Sequence, residues 1–348
     1  MSISRRELLK TAGAAGLTGV LPMVARAQAV KPEKPSLTIA VGGQALIYYL
    51  PLSVAHLKGY FKEEGLNVTI ADFAGGSKAL QAVVGGSADV VSGAFEHTIN
   101  LQAKGQFYRC FALQGRAPMI VLGVSKKTMP KYQSPADLKG KKIGVTAPGS
   151  STNMMVSFFL AQHGLKPNDA SYVGVGAGAG AVTAIRSGQV DAMSNLDPVI
   201  STLVKDDVLH IVADTRTLKD SRAIFGGNMP AGCLYTSQSF IDANPVTTQA
   251  LANAIVRADK WIQAVTPDEI AKLVPESYLL GDPELYKLAL KGNHEALSPD
   301  GMVPEDGPQT ALNALAGYVP HFDRTRIDIS RIWTNQFAIK AGQKYPHA

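Results

Sequence analysis

The chain has 348 residues, 46% of them hydrophobic, and a formal charge of +6. That composition permits a sizeable core and excludes a disordered chain. A nucleic-acid binder needs a basic stripe, whereas the one dense cluster here, "KGKK" at 139–142, reads as a solvated turn before a strand, so no nucleic-acid partner is expected.

The N-terminus reads as an address rather than as structure. "SRRELLK" sets Arg5–Arg6 in a twin-arginine frame, and a mild apolar stretch from Thr11 to Val24 follows, interrupted by Gly13, Gly16 and Gly19. That run falls short of the roughly 20 residues of a spanning helix, and "ARA" and "AQA" come after it. Residues 1–29 are therefore expected to be an export signal cleaved after Ala27 or Ala29, leaving a periplasmic protein. Its four cations and one carboxylate (Arg5, Arg6, Lys10, Arg26 and Glu7) account for +3 of the charge, so the mature part carries only about +3. Cys110 and Cys233, the two cysteines, sit in apolar strand-like runs and are expected to be buried free thiols, although an oxidising compartment leaves a disulfide open.

"LTIAVG" (37–42) alternates like a short buried strand, and "YYLPLSVAHLKGYFKEEGL" follows as a turn and an apolar-faced helix. "NVTIADF" (67–73) is a second strand, "GGSKALQAVVGG" its helix, and "ADVVSGA" a third strand. The order recurs in "KKIGVTA" (141–147), "SSTNMMVSFFLAQHGL", "ASYVGVG" (170–176), "GAVTAIRSG" and "VDAMSNL". Gly76, Ala82, Gly86, Asp89 and Ser92 fall on Gly178, Ala184, Gly188, Asp191 and Ser194 at one offset of 102 (178 − 76). Such alternation predicts βαβ units on largely parallel sheets.

The expected fold is thus α/β, with two Rossmann-like lobes joined by two crossing strands. Lobe 1 takes 36–115 and, with C-terminal helices, 235–348; lobe 2 takes 126–225; the crossings are 113–127 and 225–237. In the C-terminal part, Asn244–Pro245 and Thr266–Pro267 open helices, and Trp261 and Trp333 are expected in the core.

In open parallel sheets, ligands sit at the carboxyl ends of strands beside helix starts. That rule selects Tyr48–Tyr49–Leu50, Gly75–Gly76–Ser77 and Phe95–Glu96–His97–Thr98 in lobe 1. In lobe 2 it selects Gly149–Ser150–Ser151–Thr152, Gly176–Ala177–Gly178 and Asn195–Leu196–Asp197–Pro198. The candidate ligand contacts among these are Tyr48, Tyr49, Gly76, Ser77, Phe95, His97, Thr98, Ser150, Ser151, Thr152, Gly178, Asn195 and Asp197. Arg116, where the first crossing begins, offers either a fixed charge or an ion pair elsewhere. Free N–H groups and hydroxyls at helix starts favour an oxyanion, and the aromatic residues suit an apolar or aromatic body. Asp197 is expected to bind a ligand donor or to orient Arg or Ser neighbours.

"YYLPLSVAHLKGYFKEEGLNVTIADFAGGSKALQAVVGGSADV", "SPADLKGKKIGVTAPGSST" and "AIRSGQVDAMSNLDP" together resemble the periplasmic substrate-binding proteins of the nitrate/taurine/alkanesulfonate class of ABC importers. The resemblance covers about 36–235 well and the C-terminus loosely. It implies the type II periplasmic binding protein fold, a small ligand trapped between hinged lobes, delivery to an inner-membrane permease, and no reaction; the seven histidines show no H-x-x-x-H pairing, so no metal is expected, nor any cofactor. A monomer is expected.

Rivals carry less. Gly174-x-Gly176-x-x-Ala179 copies part of a dinucleotide fingerprint, but lies in the second βα unit of its lobe without an acidic ribose partner. The pyrimidine-precursor synthases of thiamine synthesis are similar at a distance, yet their Cys-rich intracellular chemistry does not suit two scattered cysteines behind an export signal. A ligand-presenting sensory protein remains open.

Overall fold

The computed structural model describes residues 31–346, so the twin-arginine segment and its cleavage sites lie outside the described residues. Ten strands, β1 (Ser36–Gly42), β2 (Asn67–Phe73), β3 (Val90–Ala94), β4 (Tyr108–Leu113), β5 (Val121–Ser125), β6 (Lys142–Val145), β7 (Ser171–Gly174), β8 (Ala192–Asn195), β9 (Leu209–Asp214) and β10 (Gly232–Ser237), form two sheets. Their orders, β2-β1-β3-β10-β4 and β7-β6-β8-β5-β9, are the same plan used twice.

The repeated residues explain why. Asp89 accepts a 2.8 Å hydrogen bond from the Thr38 N–H, and Asp191 accepts one of 3.0 Å from the Lys142 N–H. Each carboxylate ties the turn before the third strand of its lobe to the first strand. Gly86 and Gly188 both have positive φ, 77° and 84°, just after the helices Gly76–Val84 and Ala179–Ser187, where any other residue would be strained.

Within each sheet three strands are parallel, β1 beside β2 and β3, and β6 beside β7 and β8. The crossings differ from the sequence expectation of strands bridging two lobes. The backbone that crosses is irregular, and β5 and β10, which follow it, insert into the sheets antiparallel to both neighbours. The cause is geometric: a chain leaving one sheet at the cleft end enters the other at its cleft end, so the arriving strand must run backwards. Every residue of β5 is buried.

Behind the first sheet pack the C-terminal helices, led by Pro245–Ala264 with Pro245 in its first turn. Thr266 and Glu269 close a capping box on Pro267–Leu273. Not every helix stays with that lobe. Gly307–Tyr318 packs against Glu96–Ala103 from the first unit and against Ser151–Gln162 and Leu218–Phe225 from the second. Cys110 and Cys233 are free and fully buried on the neighbouring strands β4 and β10.

Candidate ligand site between the lobes

Each lobe aims helix starts at the other, and they meet directly. The Ser77 N–H donates to Ser150 Oγ at 3.0 Å, Ser150 Oγ donates to Ser77 Oγ at 3.2 Å, and Ser77 Oγ donates to the Pro148 carbonyl at 2.9 Å. Nearby the Ile47 N–H donates to the Asp197 carbonyl at 3.1 Å. Contact this close requires residues without side chains. A Cβ on Gly75 would stand 2.8 Å from the Ala147 Cβ, and one on Gly43 would stand 2.5 Å from the Ala177 Cβ.

Most of the side chains selected from sequence are engaged here or within their own lobe. Thr152 Oγ1 accepts the Thr146 N–H at 3.0 Å, Thr98 Oγ1 donates to the Phe95 carbonyl, and Asn195 Nδ2 donates to the Gly176 carbonyl. His97 Nδ1 meets the Tyr235 hydroxyl at 2.9 Å, and burial pushes the imidazole down to about 4, so it is neutral. Phe95, Tyr48 and Tyr49 are buried, the two tyrosine rings edge to face at 4.7 Å. Gly76 and Gly178 stand at helix starts. Arg116 donates through Nε to the Glu295 carbonyl at 2.9 Å.

Asp197 is buried and accepts from the Ser201 N–H, from Asn293 Nδ2 at 2.7 Å and from Arg216 Nη1 at 3.3 Å. It orients an arginine and ties the second lobe to the C-terminal helix Pro283–Asn293.

Space for a ligand opens beside this junction. A cavity of about 330 Å³ counting its mouth is walled by Ser151, Met154, Met155 and Phe158 on one side. Glu96 comes from the first lobe, Phe225 and Met229 from the second crossing, and Ala314, Leu315 and Tyr318 from the Gly307–Tyr318 helix. Pro118 and Ile120 of the first crossing complete it. The slot is narrow.

Ser151 is the one side chain of the sequence-selected set that lines it. Glu96, which lines the same slot, belongs to the Phe95–Glu96–His97–Thr98 stretch but was not itself singled out. Glu96 is 6% exposed, and burial pushes its carboxyl up to about 7, against the lowering effect of its own N–H. The Met and Phe wall and the contribution of Gly307–Tyr318 had no sequence signal beyond apolar helical spacing.

Two antiparallel-inserted α/β lobes closing on a mostly apolar slot define a periplasmic binding protein fold, and the solved structures agree. A protein of Bordetella bronchiseptica RB50 is 69% identical and superimposes with a TM-score of 0.91 over 91% of this chain and all of that one. The alkanesulfonate-binding protein SsuA of Xanthomonas axonopodis pv. citri, bound to MOPS, shares 19% identity and a TM-score of 0.67 over 88% of this chain and 99% of its own. Neighbours of this kind are periplasmic binding proteins of the sulfonate and nitrate import class. The NMT1-like family profile matches residues 30–275, and the chain belongs to that family. Among curated relatives, YtlA of Bacillus subtilis, named as a binding protein, is 24% identical over 74% of this chain and 76% of its own. The 4-amino-5-hydroxymethyl-2-methylpyrimidine phosphate synthase THI13 of Saccharomyces cerevisiae is 26% identical over 66% of this chain and 67% of its own.

Proposed function

We propose that the protein is the solute-binding component of an ABC importer: exported, monomeric, and trapping a small organic anion with an apolar or aromatic body between its lobes. It hands the solute to an inner-membrane permease without chemical change and without a cofactor. The single observation that carries the reading is the slot itself. It is bounded by both lobes and both crossings, so opening about the crossings would release what closure encloses, a hinge type of motion.

The chemistry of the walls supports the ligand class. Met154, Met155, Phe158, Met229 and Leu315 suit an apolar body. Ser151 begins the Ser151–Gln162 helix, whose first N–H groups lack carbonyl partners within the helix and favour negative charge. A carboxylate or sulfonate on an aromatic or alkyl body fits better than bare nitrate, which would leave the apolar walls unfilled.

The test is direct. Mature protein taken from the periplasm is denatured, the released small molecules are identified by mass spectrometry, and the refolded protein is titrated calorimetrically with them. An organic acid binding once per chain, recovered unchanged, is the expected result. A protein that releases no solute, or that converts the bound molecule as the synthase relatives do by name, would overturn the reading.

A further inference from the structure

Among the described residues Glu96 is the one carboxylate lining the slot, and its charge runs against the preference of the Ser151 helix start that also lines it. Its side chain is more than nine-tenths buried and makes no hydrogen bond to another residue's side chain or backbone among the described residues. The titratable groups that feel its charge are Tyr48 and Tyr49, Cys233 and Tyr235 of β10, and Tyr318 of the helix that walls the slot. His97, next in sequence, is neutral at ordinary pH. Among the described residues no lysine or arginine side chain acts on the Glu96 carboxyl, so nothing there compensates it when ionised.

An anionic head at Ser151 would then meet a like charge in a space narrow enough to exclude most water, where repulsion is poorly screened. A neutral carboxyl removes the repulsion and supplies what an oxyanion needs, an O–H donor. We propose that the ligand's anionic head is held between the Ser151 helix start and a protonated Glu96, so that the protein binds its ligand together with one proton. This rests on the organic-anion reading above and adds to it a proton-dependent affinity. The balance is simple: Glu96 carboxylate, solvent proton and ligand anion become a neutral acid hydrogen-bonded to the anion, with no bond in the ligand changed.

The size of the effect follows from the carboxyl's starting point. With a free-state pKa of about 7, the anion-competent form is nearly complete at pH 5.5 and a few per cent at pH 8.5, so apparent affinity falls about 30-fold between them. Proton uptake on binding rises in step, from near zero at the lower pH to near one at the higher.

Benzoate and benzenesulfonate are the probes, titrated calorimetrically at pH 5.5, 7.0 and 8.5 in phosphate and in Tris-type buffers of different ionisation enthalpy. Benzylamine is the cationic comparison. The expected result is anion binding that weakens about 30-fold with rising pH, uptake approaching one proton at pH 8.5, and preference over benzylamine throughout. Glu96→Gln, which keeps the shape and an N–H donor, should bind the anions with affinity constant within about twofold across the range. The proton count on the wild type needs no variant, so a misfolded Glu96→Gln would not shield the idea. Affinity independent of pH, proton release, tighter binding of benzylamine, or no binding of either anion would overturn it. A solute of any other class released from the purified protein would leave the solute-binding reading standing while this proposal falls.

Discussion

Glu96 and His97 are neighbours in sequence with opposite titration behaviour, and together they make a stability prediction that needs no ligand. Burial raises the Glu96 carboxyl from 4.5 to about 7, and burial lowers the His97 imidazole from 6.5 to about 4. Each shift of about 2.5 is worth about 3 kcal/mol at most. The raised group favours the folded state below pH 4.5, and that contribution is lost as pH climbs through about 7. The depressed group favours folding above pH 6.5, and its contribution is lost as pH falls through about 4. Over pH 4.5–6.5 the two slopes oppose each other and nearly cancel. Glu96→Gln removes one of them. Its stability relative to the wild type should therefore rise by about 3 kcal/mol between pH 4.5 and pH 7.5, because only the wild type loses the Glu96 contribution. Urea unfolding of both proteins at pH 4.5, 5.5, 6.5 and 7.5 measures that difference, and the contributions of all other groups drop out. A difference constant to within about 0.5 kcal/mol across the range would refute a perturbed Glu96. A difference moving the other way would mean its carboxylate is stabilised rather than desolvated.

Four further outcomes are expected. Ser150→Ala removes the acceptor of the Ser77 N–H at the lobe junction, worth about 1 kcal/mol; ligand affinity should fall about fivefold, and small-angle scattering should show a more open average shape. Ser151→Ala should weaken anion binding about tenfold and Ser151→Asp far more, read by calorimetry beside melting curves; an Asp variant that folds and binds as the wild type does would detach the anion from this helix. Ala314→Phe fills the slot from the C-terminal helix and should abolish binding at an overpacking cost of about 1–3 kcal/mol; circular dichroism checks the fold. Lys at both positions 5 and 6 should block export, and normal periplasmic yield of that variant would remove the twin-arginine assignment.

How much of this was legible depended on whether the signal was local. The doubled plan was, because Asp89 and Asp191, with Gly86 and Gly188, do the same job at the same spacing. Strands β1 and β2 fall within a residue of their expected bounds. The direction of β5 and β10 was not legible, since an apolar strand reads the same in either direction and only the route of the chain fixes it. The site was harder. The strand-end rule found the junction between lobes, where Ser77 and Ser150 meet, but in the slot beside it only Ser151. In "FEHT" the neighbours of Glu96 turn into the first lobe, and a single helical step of about 100° decides which side chain faces the gap. "MMVSFFL" is apolar all round, so no period told which of its residues would be wall and which core. Nothing near the sequence of lobe 2 announced that Ala314, Leu315 and Tyr318 would complete its cavity.

That last wall divides labour along the chain. The family match ends at residue 275, and the helix that closes the slot begins at Gly307. The matched stretch takes in both sheets and both crossings, while Ala314, Leu315 and Tyr318 of the slot lie after it. A likeness scored over residues 30–275 alone therefore leaves three of the slot's twelve lining residues uncounted.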